Sequence, residues 1–399
     1  MNIKDKIVPQ VRNMPPSGIR KYFDLINEMK DAISLGVGEP DFVTPWSIRE
    51  AGIYSLEKGH THYSSNAGFI ELRAEISSYL KRRFNLEYDP AREILVTVGG
   101  SEAIDIALRA LVGPGDEVII PEPCFVAYKG CTVFTGATPV IIELQDKDNF
   151  KLTPELLENA ITERTKVLIL PFPNNPTGAV MNRRDLEKIV EVLKDKEIFI
   201  ISDELYAELT YEGQHVSIAS FPEMKDRTVV VNGFSKAYAM TGWRIGYACG
   251  HPDIISQMTK IHQYAIMCSP TTAQYAAIEA LKNGDEEVRS MAREYNRRRR
   301  VILNGFRRIG FSCFEPMGAF YVFPSIKSTG LSSDEFCERL LLEEKVLVVP
   351  GTAFGSCGEG FIRATYANSM ENIFEALRRI ERFVNRLPAC STQRAAQIV

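Results

Sequence analysis

No apolar run in this 399-residue chain is long enough to cross a bilayer, because a spanning helix needs about 20 such residues. Neither sign of charge dominates. With 47 Lys and Arg against 51 Asp and Glu, the formal net charge is -4, which argues against attachment to nucleic acid or an anionic membrane through overall charge. The one basic knot, four arginines at 297–300, lies inside a helix-like run at 293–308 and reads as a solvated helix face. Eight cysteines are scattered from Cys124 to Cys390 without a Cys-x-x-Cys pair or a histidine at zinc spacing, a pattern of reduced, mostly buried thiols. His60 and His62 share a face if that stretch is a strand, but no third ligand lies nearby, so no metal is expected. Residues 1–11 mix Lys4, Asp5 and Lys6 with isolated apolar residues and contain no signal-peptide core. The expected setting is cytoplasmic.

What is present is ordinary for a globular chain, 45% apolar and 25% charged, with length for two domains. Short β-branched runs at 94–98, 117–120, 139–144, 166–170, 198–202, 228–232 and 245–249 alternate with helix-like stretches such as 102–111 and 183–194. Most of the runs are continuously apolar, as in strands covered on both faces. The alternation predicts an α/β fold with a largely parallel, seven-stranded sheet between helices. After about residue 281 the pattern changes to long helices at 285–309 and 333–344 with short strands at 319–323, 346–349 and 361–364. The expected division is a large domain at 47–281 and a smaller α+β domain from 1–46 and 282–399, ending in a frayed polar tail at 388–399.

Ligands of open parallel sheets bind beyond the carboxyl ends of the strands, so the residues after each strand carry the functional argument. Gly99-Gly100-Ser101-Glu102 follows the first run and opens into a helix, where free N–H groups and the helix dipole favour a phosphate. The spacing is neither G-x-G-x-x-G nor G-x-x-x-x-G-K-[ST], which argues against a dinucleotide or nucleoside triphosphate. Asp203 follows the run at 198–202, either as a helix cap or as a carboxylate facing a cationic ring nitrogen. Asn174-Asn175-Pro176-Thr177-Gly178 carries more than a chain reversal requires. Lys236 follows the run at 228–232 amid small and apolar neighbours, with Arg244 eight residues on. A desolvated lysine near positive charge has a depressed pKa and becomes a nucleophile.

Five motifs in order resemble the class I/II, fold-type-I pyridoxal-phosphate aminotransferases: Gly36-Val37-Gly38-Glu39-Pro40-Asp41-Phe42, the Gly-Ser-Glu turn, Asn-Asn-Pro-Thr-Gly, Ser-Asp-Glu-x-Tyr, and Ser-Lys followed by Gly-x-Arg-x-Gly. The resemblance runs to Phe361-Ile362-Arg363 and so spans almost the whole chain. It implies reversible amino transfer between an L-amino acid and a 2-oxo acid, such as 2-oxoglutarate. Lys236 would hold pyridoxal 5′-phosphate as a Schiff base and move the proton between the substrate Cα and the cofactor's C4′, while Asp203 would keep the ring nitrogen protonated. By the same resemblance Asn175 and Tyr206 donate to the cofactor's 3′-oxygen and Phe125 stacks on its ring. Gly100, Ser101 and Glu102 (through backbone), Ser235 and Arg244 hold its phosphate. Tyr63 would reach the phosphate of a second subunit, making an obligate homodimer with a shared site. Arg363 would clamp the substrate carboxylate, with Gly38 along the substrate, Ile19 near the entrance and Asn175 in reach.

Two departures stand out. Many relatives carry Ser three residues before the lysine, where this chain has Gly233, and Glu102 places a negative side chain at a phosphate-binding helix start. A carbon–sulfur β-lyase is the rival enzyme reading, and an effector-sensing regulator the rival from another class. The latter needs an amino-terminal helix-turn-helix domain, for which roughly 35 preceding residues are too few. The resemblance is greatest to bacterial enzymes acting on aspartate, aromatic amino acids or N-acetyl-LL-diaminopimelate. The Gly-Ser-Glu-Ala-Ile-Asp run and His262-Gln263-Tyr264 favour the last.

Overall fold

A computed structural model describes residues 2–16, 29 and 31–387. The expected tail at 388–399 and the entrance residue Ile19 lie outside the described residues. The strands are β1 (Ile33–Ser34), β2 (Ile94–Thr97), β3 (Glu117–Glu122), β4 (Thr138–Glu143), β5 (Thr165–Leu170), β6 (Phe199–Asp203), β7 (Thr228–Gly233), β8 (Gly246–Cys249), β9 (Tyr321–Val322), β10 (Val346–Leu347), β11 (Val349–Pro350) and β12 (Ile362–Thr365). The main helices are α1 (Trp46–Glu57), α2 (Ile70–Phe84), α3 (Gly99–Leu111), α4 (Ala127–Phe134), α5 (Arg183–Leu193), α6 (Pro252–Ala265), α7 (Thr271–Asn283), α8 (Asp285–Ile309), α9 (Ser333–Glu344) and α10 (Met370–Asn385).

Seven strands form one sheet in the order β2-β8-β7-β6-β5-β3-β4, as the alternation of runs and helices predicts. Strands β2, β3, β7 and β8 are buried along their whole length, while β4 at the edge is largely open, which is why its sequence is less continuously apolar. Every pairing is parallel except those of β8 with β2 and β7. That reversal brings the residues just before β8 to the same sheet edge as the residues just after its neighbours. Arg244 therefore meets Gly99 after β2 and the Thr241 carbonyl after β7.

The remaining strands form two small sheets, β1 with β10 and β11-β12-β9, packed with α8, α9 and α10 around an apolar cluster that includes Phe306, Phe320, Phe336 and Phe383. The single strand expected at 346–349 is instead two. Val346 pairs with Ile33 in the parallel pair, and Val349 pairs with Arg363 in the antiparallel one, so the chain changes sheets at the fully buried Val348. A continuous apolar run does not reveal such a switch, because both sheets bury it equally. His60 and His62 lie in the loop between α1 and α2, not on a strand, and His60 stacks on Tyr275 at 4.9 Å.

Candidate active site

The carboxyl edge of the large sheet and the small sheets enclose a cavity of about 480 Å³. Its walls include Gly38, Gly100, Ser101, Phe125, Asn175, Asp203, Tyr206, Ser235, Lys236, Arg244 and Arg363. Two of the described residues singled out in the sequence stay outside it: Tyr63 is 80% exposed on the loop between α1 and α2, and the Glu102 side chain does not line the cavity.

Lys236 follows β7 by three residues and donates from Nζ to the Gly38 carbonyl at 2.7 Å. Burial, aided by Arg363 and Arg244 and opposed by Glu39 and Asp203, pulls its pKa down to about 8. About a tenth of its amine is thus unprotonated at pH 7, far more than for an ordinary lysine, and that is the form that attacks a carbonyl. Asp203 ends β6. Burial pushes its carboxyl up, against the hydroxyl of Tyr128 at 2.6 Å and the Leu205 N–H at 3.2 Å. A cation arriving beside it would hold the ionised form.

Arg363 arrives from β12, between the rings of Tyr321 and Phe354 at 4.4 and 4.7 Å. It donates to Asn175 Oδ1 at 2.8 Å and to the Gly36 carbonyl at 2.6 Å, and its buried Nε has no hydrogen-bond partner among the described residues. A buried donor left unpaired in a cavity wall fits an absent acceptor, and a carboxylate is the one guanidinium prefers. Tyr206 meets the hydroxyl of Tyr321 at 2.8 Å, so its own oxygen is oriented from the small-sheet side.

On the opposite wall, α3 starts at Gly99, whose φ of +76° favours glycine. A Cβ there would stand 2.7 Å from Arg244 Nη2, so its absence lets the guanidinium lie against the helix start. Glu102 turns its carboxylate to the Val98 N–H and to His262 Nδ1, the latter at 2.6 Å. Gly233 lies against β8, where a Cβ would meet Gly246 Cα at 3.0 Å. A serine there would need the β8 backbone to give by a few tenths of an ångström.

Sequence reasoning missed Tyr128 and Tyr321. Tyr128 sits three residues after Phe125, a helical spacing that places both on one side of the α4 start, and their rings meet edge-on at 5.7 Å. Tyr321 was legible only as a strand residue; nothing in its local pattern distinguishes a core tyrosine from one whose hydroxyl reaches a cavity.

A family model described as aminotransferase class I and II matches residues 30–380. The chain is 54% identical over 376 residues to the putative aminotransferase YugH of Bacillus subtilis (strain 168), covering 94% of this chain and 97% of that one. It is 41% identical over 376 residues to a probable N-acetyl-LL-diaminopimelate aminotransferase of the same organism, with 94% and 95% covered. Among solved structures it resembles the aspartate aminotransferase of Thermus thermophilus with maleate, at a TM-score of 0.90 and 38% identity over 94% of this chain and 99% of that one. Amino transfer, not carbon–sulfur elimination, is the activity these names share. The chain belongs to the class I and II aminotransferase family and is itself an aminotransferase.

Proposed function

We propose that the cavity binds pyridoxal 5′-phosphate and serves reversible transfer of an amino group from an L-amino acid to a 2-oxo acid. The observation that carries this reading is a lysine amine of lowered pKa in one cavity with a buried carboxylate and a buried guanidinium that has a donor to spare. Those are the groups the cofactor and an amino acid require. The start of α3 with Arg244 and Ser235 suits the phosphate, Asp203 the ring nitrogen, Asn175 and Tyr206 the ring oxygen, and Phe125 the ring face. Bound there, the cofactor supplies a reactive aldehyde and a ring that accepts electrons released at the substrate Cα.

The protein's own part is then to bind, orient and move protons. Arg363 holds the substrate carboxylate, which fixes the Cα relative to Lys236 Nζ. Lys236 would take the proton from the substrate Cα and deliver it to the cofactor's C4′. Asp203 would balance the positive charge of the ring nitrogen, at a position buried within the cavity wall. With residues 47–281 as the large domain and 1–46 with 282–399 as the smaller one, Lys236 and Arg363 would reach the cavity from different domains.

A homodimer accounts for the exposed apolar side chains Trp46, Ile53, Tyr54, Leu56, Tyr63, Tyr264 and Ile266, a concentration unusual on a monomer's surface. Asn66 donates to the Met267 carbonyl at 2.7 Å, tying the loop that bears Tyr63 to the end of α6. Tyr63 on that surface would complete the phosphate site of the second copy.

The amino donor is the remaining question. The runs at 100–105 and 262–264 favour N-acetyl-LL-diaminopimelate, and the similarity to a protein named for that substrate supports it. A panel of aspartate, aromatic amino acids and N-acetyl-LL-diaminopimelate with 2-oxoglutarate as acceptor tests both parts. No glutamate from any donor would overturn the reading.

Two expectations follow from the site. Arg363→Lys should raise KM for the amino acid by about a hundredfold and change kcat far less, since an ammonium cannot make the paired contact; steady-state kinetics separates the two. Mixed with pyridoxal 5′-phosphate, the apoenzyme should take up the aldehyde at a rate that rises with pH and levels off above about 8. A lysine at its ordinary value would carry that rise toward 10.5. Stopped-flow absorbance reads the midpoint.

A further inference from the structure

Two stretches that stand apart in the sequence, 100–105 and 262–264, meet in the fold through one contact between Glu102 and His262. Glu102 occupies the first turn of α3, two residues past Gly100 and next to Ser101, both of which line the cavity. The positive potential that suits a phosphate there also attracts the helix's own carboxylate. Its side chain is long enough to compete for the same amides. Instead it is held from two directions, by the Val98 N–H and by His262 Nδ1 at 2.6 Å, and it lines no part of the cavity.

His262 is an unexpected residue in its place. It projects from α6 with no exposed surface, beside an apolar interface with α3 that includes Ile255, Met258, Ala103 and Ala107. Burying a polar ring there is costly unless it is hydrogen-bonded. Its Nε2 has no partner among the described residues, so the arrangement of least cost carries the proton on Nδ1 and donates it to Glu102. Among the described residues, the contact with Glu102 is the only side-chain hydrogen bond that justifies a histidine at this position.

We propose that His262 is a positioning residue for the phosphate-binding turn, holding the Glu102 carboxylate back against Val98 so that its charge does not occupy or repel the anion's place. The proposal rests on the reading of the α3 start as the cofactor's phosphate cradle. Removing the ring frees a flexible negative side chain one residue from Ser101. Removing the charge as well makes that freedom harmless.

The test measures inorganic phosphate binding to the full-length apoenzyme by calorimetry at constant ionic strength, with thermal melting to establish that each variant is folded. His262→Phe should bind phosphate about tenfold more weakly than the wild type, and His262→Phe/Glu102→Gln should return to within about threefold. A merely structural role for the ring predicts no such rescue, so a double variant as weak as the single one overturns the proposal, as does an unchanged single variant. If His262→Phe does not fold, His262→Met, equally unable to donate, is compared with its own Glu102→Gln double in the same way. A wild-type apoenzyme that binds no phosphate overturns the cradle reading, and this inference with it.

Discussion

Lys236→Ala should lower the rate of amino transfer by about 10⁴-fold or more while the chain still folds. Two proposed roles would end with that amine: the bond to the cofactor's aldehyde, and the base that takes the Cα proton. No neighbour can substitute. A guanidinium such as that of Arg363 is no general base, and the Tyr206 hydroxyl is pushed well above its ordinary value by burial and Tyr321. Folding should not suffer, and the sign of the lysine shift says why. With a folded pKa of about 8 against an ordinary value of 10.5, the native state carries an unfavourable buried cation below pH 8. As pH rises from 8 to 10.5 the unfolded chain binds more protons than the native one, so that cost fades. The alanine apoenzyme should therefore melt no lower than the wild type at pH 7, and any advantage it has should shrink toward pH 10. A coupled glutamate assay and melting curves across pH measure both. Turnover near the wild-type rate would refute the assigned role of Lys236.

Asp203→Asn comes second, with an expected loss of about 10²–10³ in kcat. The amide matches the carboxylate in shape, and its oxygen can still accept the Leu205 N–H, so the cavity should keep its form. What disappears is the negative charge that holds a ring nitrogen as a cation. Burial already pushes Asp203 up, and the Tyr128 hydroxyl at 2.6 Å keeps the ionised form accessible. Cofactor affinity, measured separately by equilibrium dialysis, should fall much less than kcat. A variant within threefold of wild-type kcat would mean that the charge does not matter to the step that limits the rate.

Much of the fold is legible in the order of residues alone. The buried strands announce themselves because a strand covered on both faces must be apolar at every position, as 166–170 and 228–232 nearly are. Helices α8 and α9 begin and end where the sequence pattern places them, helped at the end of α8 by Gly310 in a left-handed conformation, and at the start of α9 by Ser332 capping the Glu335 N–H. Residues following β2, β3, β5, β6 and β7 line the cavity because topology sends them to one edge.

Other features required the tertiary structure. Val346 and Val349 belong to different sheets, and a four-residue apolar run contains no mark of the change. Tyr128 and Tyr321 touch Asp203 and Tyr206 across 75 and 115 residues of chain, and a tyrosine's hydroxyl reveals its partner only when both are in place. Glu102 looks misplaced in the sequence; His262, 160 residues away, is what receives its carboxylate.

By itself, then, the sequence determined the α/β architecture and the family and singled out Lys236, because these depend on local periodicity and on motifs read along the chain. The tertiary structure decided the lowered pKa of Lys236, the open donor on Arg363 and the place of Glu102. Those depend on burial and on charges brought together from distant segments, quantities that exist only once the chain has packed.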